Sequence, residues 1–328
     1  MLFFLVSVLP LTVLSLTEVN CYKELAPIKS GPRQEHGVAA IDNKIYLVAG
    51  MTYRNQVRGQ EGIVEVYDIK TNSWSDAPPL PVALHHANIA AANGKVYVLG
   101  GLNGFNNTRR TIGSVFAYDP VATKWEELDP MPKGTERGAS AVAVHDNSIY
   151  LAGGLQPQLG DGDYHVTDLV SSYDTVSKKW TTLPNLPEKR DHVGGVFVKD
   201  TLYVVGGRTG KSTTSRDTVF ALKPAANQWT SLARMPTGRG GIAAAAIGTK
   251  IYTFGGEGNQ LRSDSIYPEC ESYDTVTDKW TKEPPMKIPR HGVPAVTVGN
   301  TIYIMGGGTK GGIAGAAATA EAYGPDSC

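Results

Sequence analysis

The chain has 328 residues, with 31 Lys+Arg balancing 31 Asp+Glu, and 41% hydrophobic against 19% charged side chains. That balance excludes a disordered or fibrous chain and removes any general attraction to nucleic acid or an anionic membrane. The 37 Gly and 20 Pro suit a turn-rich fold, and three Cys are too few for a disulfide-built scaffold.

The first segment, Met1 to Leu16, reads MLFFLVSVLPLTVLSL and holds no charged side chain. It is shorter than the about 20 apolar residues that a membrane span needs. Its position and length predict a secretory signal peptide over residues 1–20, cleaved between Ser15 and Asn20, although a basic n-region is missing. Cleavage after residue 20 would leave 31 bases against 30 acids. No later segment is apolar enough for a membrane-spanning helix, so a secreted or luminal protein is expected, with residues 21–328 as its single domain. Asn106-Asn107-Thr108 is a sequon, which makes Asn106 the expected glycan acceptor.

One motif then recurs six times: an apolar residue and Tyr, two residues, then a glycine pair. It appears as Ile45-Tyr46…Ala49-Gly50, Val96-Tyr97…Gly100-Gly101 and Ile149-Tyr150…Gly153-Gly154. It returns as Leu202-Tyr203…Gly206-Gly207, Ile251-Tyr252…Gly255-Gly256 and Ile302-Tyr303…Gly306-Gly307. Trp74, Trp125, Trp180, Trp229 and Trp280 keep the same rhythm. Tyr67-Asp68, Tyr118-Asp119, Tyr173-Asp174 and Tyr273-Asp274 precede four of them, and Leu222-Lys223 takes that place in the fourth repeat. Each repeat holds four short runs rich in Val, Ile and Tyr, the composition of strands. In the first repeat these are His36–Ile41, Lys44–Val48, Ile63–Asp68 and Ser73–Asp76, with Asp42-Asn43 as a tight turn. The alanine-rich stretch Gly311–Ala320 is read as a loop leading into a strand.

Four strands in about 50 residues is the kelch period, and such sheets repeated radially make a β-propeller. The quoted motifs resemble kelch repeats over residues 21–328, in the superfamily of the galactose oxidase central domain. The resemblance implies an all-β, six-bladed propeller of four-stranded antiparallel blades. In it the Tyr, Trp and Gly residues have packing roles and are not catalytic. Tyr22 to Pro27 aligns with Trp74 to Pro79, so the N-terminal segment is expected as the outer strand of the last blade. Cys21 and Cys328 then occupy successive positions of one blade pattern, and a Cys21–Cys328 disulfide is expected; two free thiols, or loss of Cys21 on cleavage, are the alternatives. Cys270 is expected to be buried and inert.

An arginine stands thirteen residues before the repeat tyrosine in five repeats: Arg33, Arg137, Arg190, Arg239 and Arg290, with Leu84 in the second. His36, His85, His86, His192 and His291 follow closely. By the resemblance these lie at the inter-blade turns around the central channel. Two readings stay open: five guanidiniums and the histidines bind an anionic ligand, or the arginines pair with a neighbouring blade or cap a turn. The long loops 51–62, 102–113, 155–169, 208–217 and 257–268 carry Tyr53, Arg54, Arg58, Phe105, Arg109, Arg110, Arg208, Lys211, Arg216 and Arg262. Arginine with aromatics suits contact with protein or sugar.

Enzymatic relatives with this fold fit less well. A copper–tyrosine site needs a cysteine crosslink, and Cys270 is the spare cysteine. The iron motif of plant specifier proteins, Glu-x3-Asp-x3-His, is matched by Asp161 and His165 but has Pro157 in place of its acid; Asp163 adds one further oxygen ligand. Sialate mutarotase-type propellers handle an anionic sugar, which an arginine ring would suit, but no distinctive acid–base pair stands out. No catalytic residue, cofactor or metal site is therefore assigned. The expected function is that of a secreted, monomeric binding module presenting its loops to a protein or glycan partner. The alternative is a carbohydrate-active or metal-assisted enzyme working in the channel.

Overall fold

A computed structural model describes residues 21–54, 57–156, 165–313 and 315–328. Six four-stranded antiparallel sheets follow one another around a central axis. In the first blade the strands are Gly37–Ile41, Lys44–Val48, Val64–Asp68 and Ser73–Ala77, in that spatial order. These agree with the expected runs to within a residue at each end. Adjacent blades touch through their first strands, and the first strand of the sixth blade, Ala295–Val298, meets Gly37–Ile41 to close the ring.

The sixth blade is shared between the chain ends. Tyr22–Glu24 forms its outer strand, with Tyr22 opposite Tyr323 and Glu24 opposite Glu321. Cys21 and Cys328 are joined by a disulfide with their Cα atoms 4.8 Å apart. Gly324 N–H donates to the Cys21 carbonyl at 3.0 Å, so the junction is also held by backbone bonding.

Six hydrophobic clusters fill the wedges between neighbouring blades. One joins Tyr46 and Val48 of the first blade to Val96, Val98 and Tyr118 of the second. Another joins Ile45 and Tyr67 of the first blade to Tyr303 and Ala320 of the sixth. The repeated aromatics explain themselves here. Tyr67 lies opposite Trp74 with ring centroids 5.2 Å apart, and the Trp74 indole donates to the Ala26 carbonyl of the preceding blade at 2.9 Å. Trp125, Trp229 and Trp280 repeat that inter-blade bond to Pro78, Pro184 and Ala233. The aspartate after each tyrosine caps the next turn: Asp68 Oδ1 accepts the N–H groups of Lys70 and Thr71. The fourth repeat, which lacks this aspartate, turns through a short 3-10 segment, Pro224–Ala226.

Two loops differ from expectation. Residues 51–62 contain a small hairpin, Met51–Arg54 with Val57–Gln60. In the second blade the loop is shortened because Lys95–Asn103 and Arg110–Asp119 keep pairing beyond the sheet, with a bulge between Ile112 and Val115. The stretch leading to the last strand, Ala320–Tyr323, is irregular as expected.

Candidate functional site

The five repeat arginines are all fully buried. Their guanidiniums point into the blades and are consumed there. Arg137 donates to the carbonyls of Thr135, Leu151 and Gly153 and to Ser171 Oγ at 2.7–3.1 Å. Arg239 donates to the Gly255 and Glu269 carbonyls and pairs with Glu271. Arg33 pairs with Glu65, Arg190 with Glu188, and Arg290 with Glu321. The arginines therefore present no anion-binding ring to the channel, and they pair within their own blades and not with a neighbouring one. These side chains bind each long loop to its own blade, because burial of a guanidinium demands that its donors be met inside the protein.

The residue two positions after each arginine, and after Leu84 in the second repeat, does reach the axis. Glu35, His86, Ala139, His192, Gly241 and Gly292 occupy this place in the six repeats, and all six have left-handed backbone, with φ between 51° and 66°. Their backbones form a closed ring. Each N–H donates to the carbonyl of the preceding member, Glu35 to Gly292, His86 to Glu35, and onward to Gly292 and Gly241, at 2.8–3.0 Å. This ring ties all six blades together across the channel. Glycine fits such a conformation at no steric cost, histidine adopts it more often than most residues, and glutamate is strained there. Gly292 also leaves the room into which the Glu35 carboxylate extends, since a Cβ there would collide with Glu35 Oε1.

The ring divides the channel. On one side the first strands line it with small apolar residues such as Val38, Ala91, Val142, Gly195 and Ala244. On the loop side lies a polar cavity of about 280 Å³, lined by Glu35, His86, His192, Arg208, Glu257, His291, Arg109 and Lys211. His86 Nε2 lies 3.0 Å from His192 Nε2 and 3.3 Å from Glu35 Oε2. His192 Nδ1 is 2.5 Å from Asp191 Oδ1, which also accepts from Arg208 Nε at 3.1 Å. Arg208 pairs in addition with Glu257. His291 Nε2 donates to the Lys310 carbonyl at 2.9 Å.

Burial governs the electrostatics of this cluster. It pushes His86 well below the usual histidine range, helped by the neighbouring His85 and His192. It lowers His85 to about 4, against the opposing bond to the Gly104 carbonyl. Burial would raise the carboxyls of Asp191 and Glu257, but His192 and Arg208 for the first, and His291 and Arg208 for the second, hold both below the ordinary value. A buried, charge-balanced cluster facing a cavity is the kind of place where proteins bind or transform ligands.

Of the histidines expected to bind a ligand, His192 and His291 line the mouth, while the other two sit behind it. His85 is buried, bonds Gly104 at 2.8 Å and stacks on Phe105. His36 is buried with Nε2 on the Met305 carbonyl at 3.0 Å, and burial lowers it to about 3. Glu35, Asp191 and Glu257 were missed from sequence. The signal that finds Glu35 is the repeat itself: three of six positions that elsewhere hold Gly or Ala carry Glu, His and His. Asn106 is exposed at the head of a short 3-10 segment, Asn106–Thr108, on the loop side. Asp161 and Asp163 lie outside the described residues.

Comparison with known proteins agrees with this architecture. The family described as the Attractin/LZTR1 beta-propeller matches residues 16–221, and the KLHDC2/KLHL20/DRC7 Kelch-repeats domain matches residues 158–316. Kelch-like protein terF of Aspergillus terreus is 38% identical over 84% of this chain, which spans 61% of that protein. Kelch-like protein 40 of Xenopus laevis is 28% identical over 52% of this chain and 26% of its own. The solved structure of YjhT superposes with a TM-score of 0.76 over 92% of this chain and 97% of its own, at 18% identity, a likeness of fold. With its six Tyr–glycine repeats and closed ring of blades, the chain belongs to the kelch-repeat β-propellers and, within them, to the Attractin/LZTR1 propeller family.

Proposed function

We propose that this protein is a secreted interaction module that presents the loop face around its channel mouth to a protein partner. One observation carries the reading: the long loops converge on one face and brace one another there. Gly104 N–H donates to Gln60 Oε1 at 2.8 Å, Gly311 N–H to the Asp264 carbonyl at 2.8 Å, and Gly312 N–H to Glu257 Oε2 at 3.0 Å. Loops held in register by a rigid scaffold offer a binding surface with little entropy left to lose. Arg110, Lys211 and Lys310 stand exposed on its rim, so an acidic protein surface or an acidic glycan suits it best. Support for secretion comes from the apolar segment 1–16 and from the Cys21–Cys328 disulfide, a bond at home in an oxidising compartment. A glycan on Asn106 would then stand beside the second blade's loop.

Reversing Arg110, Lys211 and Lys310 to Glu tests the reading. Capture from the extracellular medium should lose its partner with this variant and keep it when Lys70 and Lys199, at the opposite ends of the strands, are reversed. Equal retention by both variants would refute the loop-face assignment. The N-terminus of the secreted protein, read by mass spectrometry, should lie between residues 16 and 21.

A further inference from the structure

Three lone pairs meet at the axis. The tautomers follow from fixed partners. His85 Nε2 donates to the Gly104 carbonyl at 2.8 Å, so its Nδ1 is an acceptor. That Nδ1 lies 2.5 Å from His86 Nδ1, which must therefore carry the proton, leaving His86 Nε2 with its lone pair. His192 gives its Nδ1 proton to Asp191, so its Nε2 is an acceptor too, and Arg208 Nη2 donates to that lone pair at 3.1 Å. Both nitrogens face Glu35 Oε2, at 3.3 and 3.9 Å, and each other at 3.0 Å. Three acceptors packed this closely need positive charge beside them, which the Arg208 guanidinium gives to His192 and which a metal ion among the three would give to all of them.

The spacing suits one. A point about 2.0 Å from all three atoms exists, which is the bond length of zinc to histidine nitrogen and carboxylate oxygen. Two histidines and one carboxylate are the donor set of open zinc and non-haem iron sites. The outer contacts fit as well: Asp191 holds His192, and His85 holds His86, each through the ring nitrogen turned away from the site. The other oxygen of Glu35 lies 4.0 Å from His291 Nδ1, a buried acceptor with no hydrogen-bond partner. The backbone adds an independent observation. The only ring members with long side chains are these three, each kept in a conformation that elsewhere in the ring belongs to Gly or Ala. The closed ring of backbone hydrogen bonds holds them in that conformation and so fixes where the three side chains start.

We propose that Glu35, His86 and His192 bind one divalent first-row transition ion of the zinc type, with a coordination position open to the loop-side cavity. Binding moves Arg208 off His192 Nε2 and leaves it on Asp191 and Glu257. The site is independent of the partner proposed above, since it uses the channel axis and not the exposed rim.

The test uses the full secreted protein, stripped with chelator and then given Zn²⁺ or Co²⁺. One equivalent of Zn²⁺ should survive desalting, and Co²⁺ should give the visible bands of a four- or five-coordinate nitrogen–oxygen site. His86→Gln and Glu35→Gln should each weaken Zn²⁺ binding more than 100-fold, and Asp191→Asn by about 10- to 100-fold. His145→Ala removes a surface histidine near Asp146 and Asp200 and should change nothing. No retained metal, no cobalt bands, or binding lost with His145 and kept without His86 would each overturn the proposal. Should a channel variant not fold, the stoichiometry and cobalt spectrum of the unaltered protein decide.

Discussion

Arg239 Nη2 and Glu271 Oε2 lie 2.7 Å apart with both side chains wholly shut off from water. The same two positions hold Arg33 and Glu65 in the first blade and Arg290 and Glu321 in the sixth. In the second blade they hold Leu84 and Phe116, both within one hydrophobic cluster. In the fourth, Arg190 lies over the Phe220 ring at 4.7 Å. The protein therefore solves one packing problem in several ways, among them a buried ion pair and an apolar pair, with Arg137 on Ser171 Oγ in the third blade.

That duplication yields a stability prediction. Arg239→Leu alone leaves Glu271 buried without its partner and should cost about 3–5 kcal/mol. Arg239→Leu with Glu271→Phe copies the second blade into the fifth and should recover most of the loss. Chemical denaturation of the two single variants and the double variant measures this; a double variant no better than the sum of its parts would show that the pair cannot be exchanged.

Reduction of Cys21–Cys328 should loosen the sixth blade. The bond spans 307 residues and holds a three-residue outer strand. In the chain-entropy account its loss costs up to ~5 kcal/mol. Melting with and without reductant should show a lower midpoint in reductant, and Cys21→Ser should reproduce it in oxidising buffer. An unchanged midpoint would mean that the strand and core hold the ring shut without the crosslink.

Gly255 has φ of 60°, and a Cβ there would sit on the Arg290 carbonyl oxygen. Gly255→Ala should destabilise by about 2 kcal/mol or more, from left-handed strain and from displacing the inter-blade turn. The first blade already carries Ala49 at this place, with φ of 62° against the backbone that bears Leu84. Thermal melting of Gly255→Ala, with Gly248→Ala as a control in open space, separates the clash from the strain.

Alkali should weaken the fold through Cys270. Burial, with the charge of Glu283, pushes its thiol up to about 12 from an ordinary 9. Burial likewise raises Tyr252 to about 12. A raised thiol or phenol stays protonated in the folded state while the unfolded chain ionises, so the unfolded state binds fewer protons. Stability should thus be level below pH 9 and fall between pH 9 and 12. The native thiol should resist a disulfide reagent at pH 8 and react fully in denaturant; fast reaction in native buffer would contradict its burial.

Most of the fold was legible because each blade is specified locally. The Tyr–glycine motif, the tryptophan seven residues after its tyrosine and the turn-capping aspartate all act within one repeat, so their spacing exposes them. Closure was legible for the same reason: Tyr22 and Tyr323 fall into register once both ends are placed on the repeat. The arginines were ambiguous because sequence places them beside the axis without stating which way they turn. The left-handed residue two positions later redirects the chain, so Glu35 and His192 enter the channel while Arg33 and Arg190 run back into their blades.

By itself, then, the sequence determined the blade, the number of blades and the joining of the ends, since strand and turn chemistry repeat at fixed distance along the chain. Only the tertiary structure decided which residues meet. His86 and His192 are 106 residues apart, in turns that share no local pattern of contact. They touch because sixfold closure carries one position of every repeat to a common axis, and Glu35 joins them there because Gly292 leaves it room.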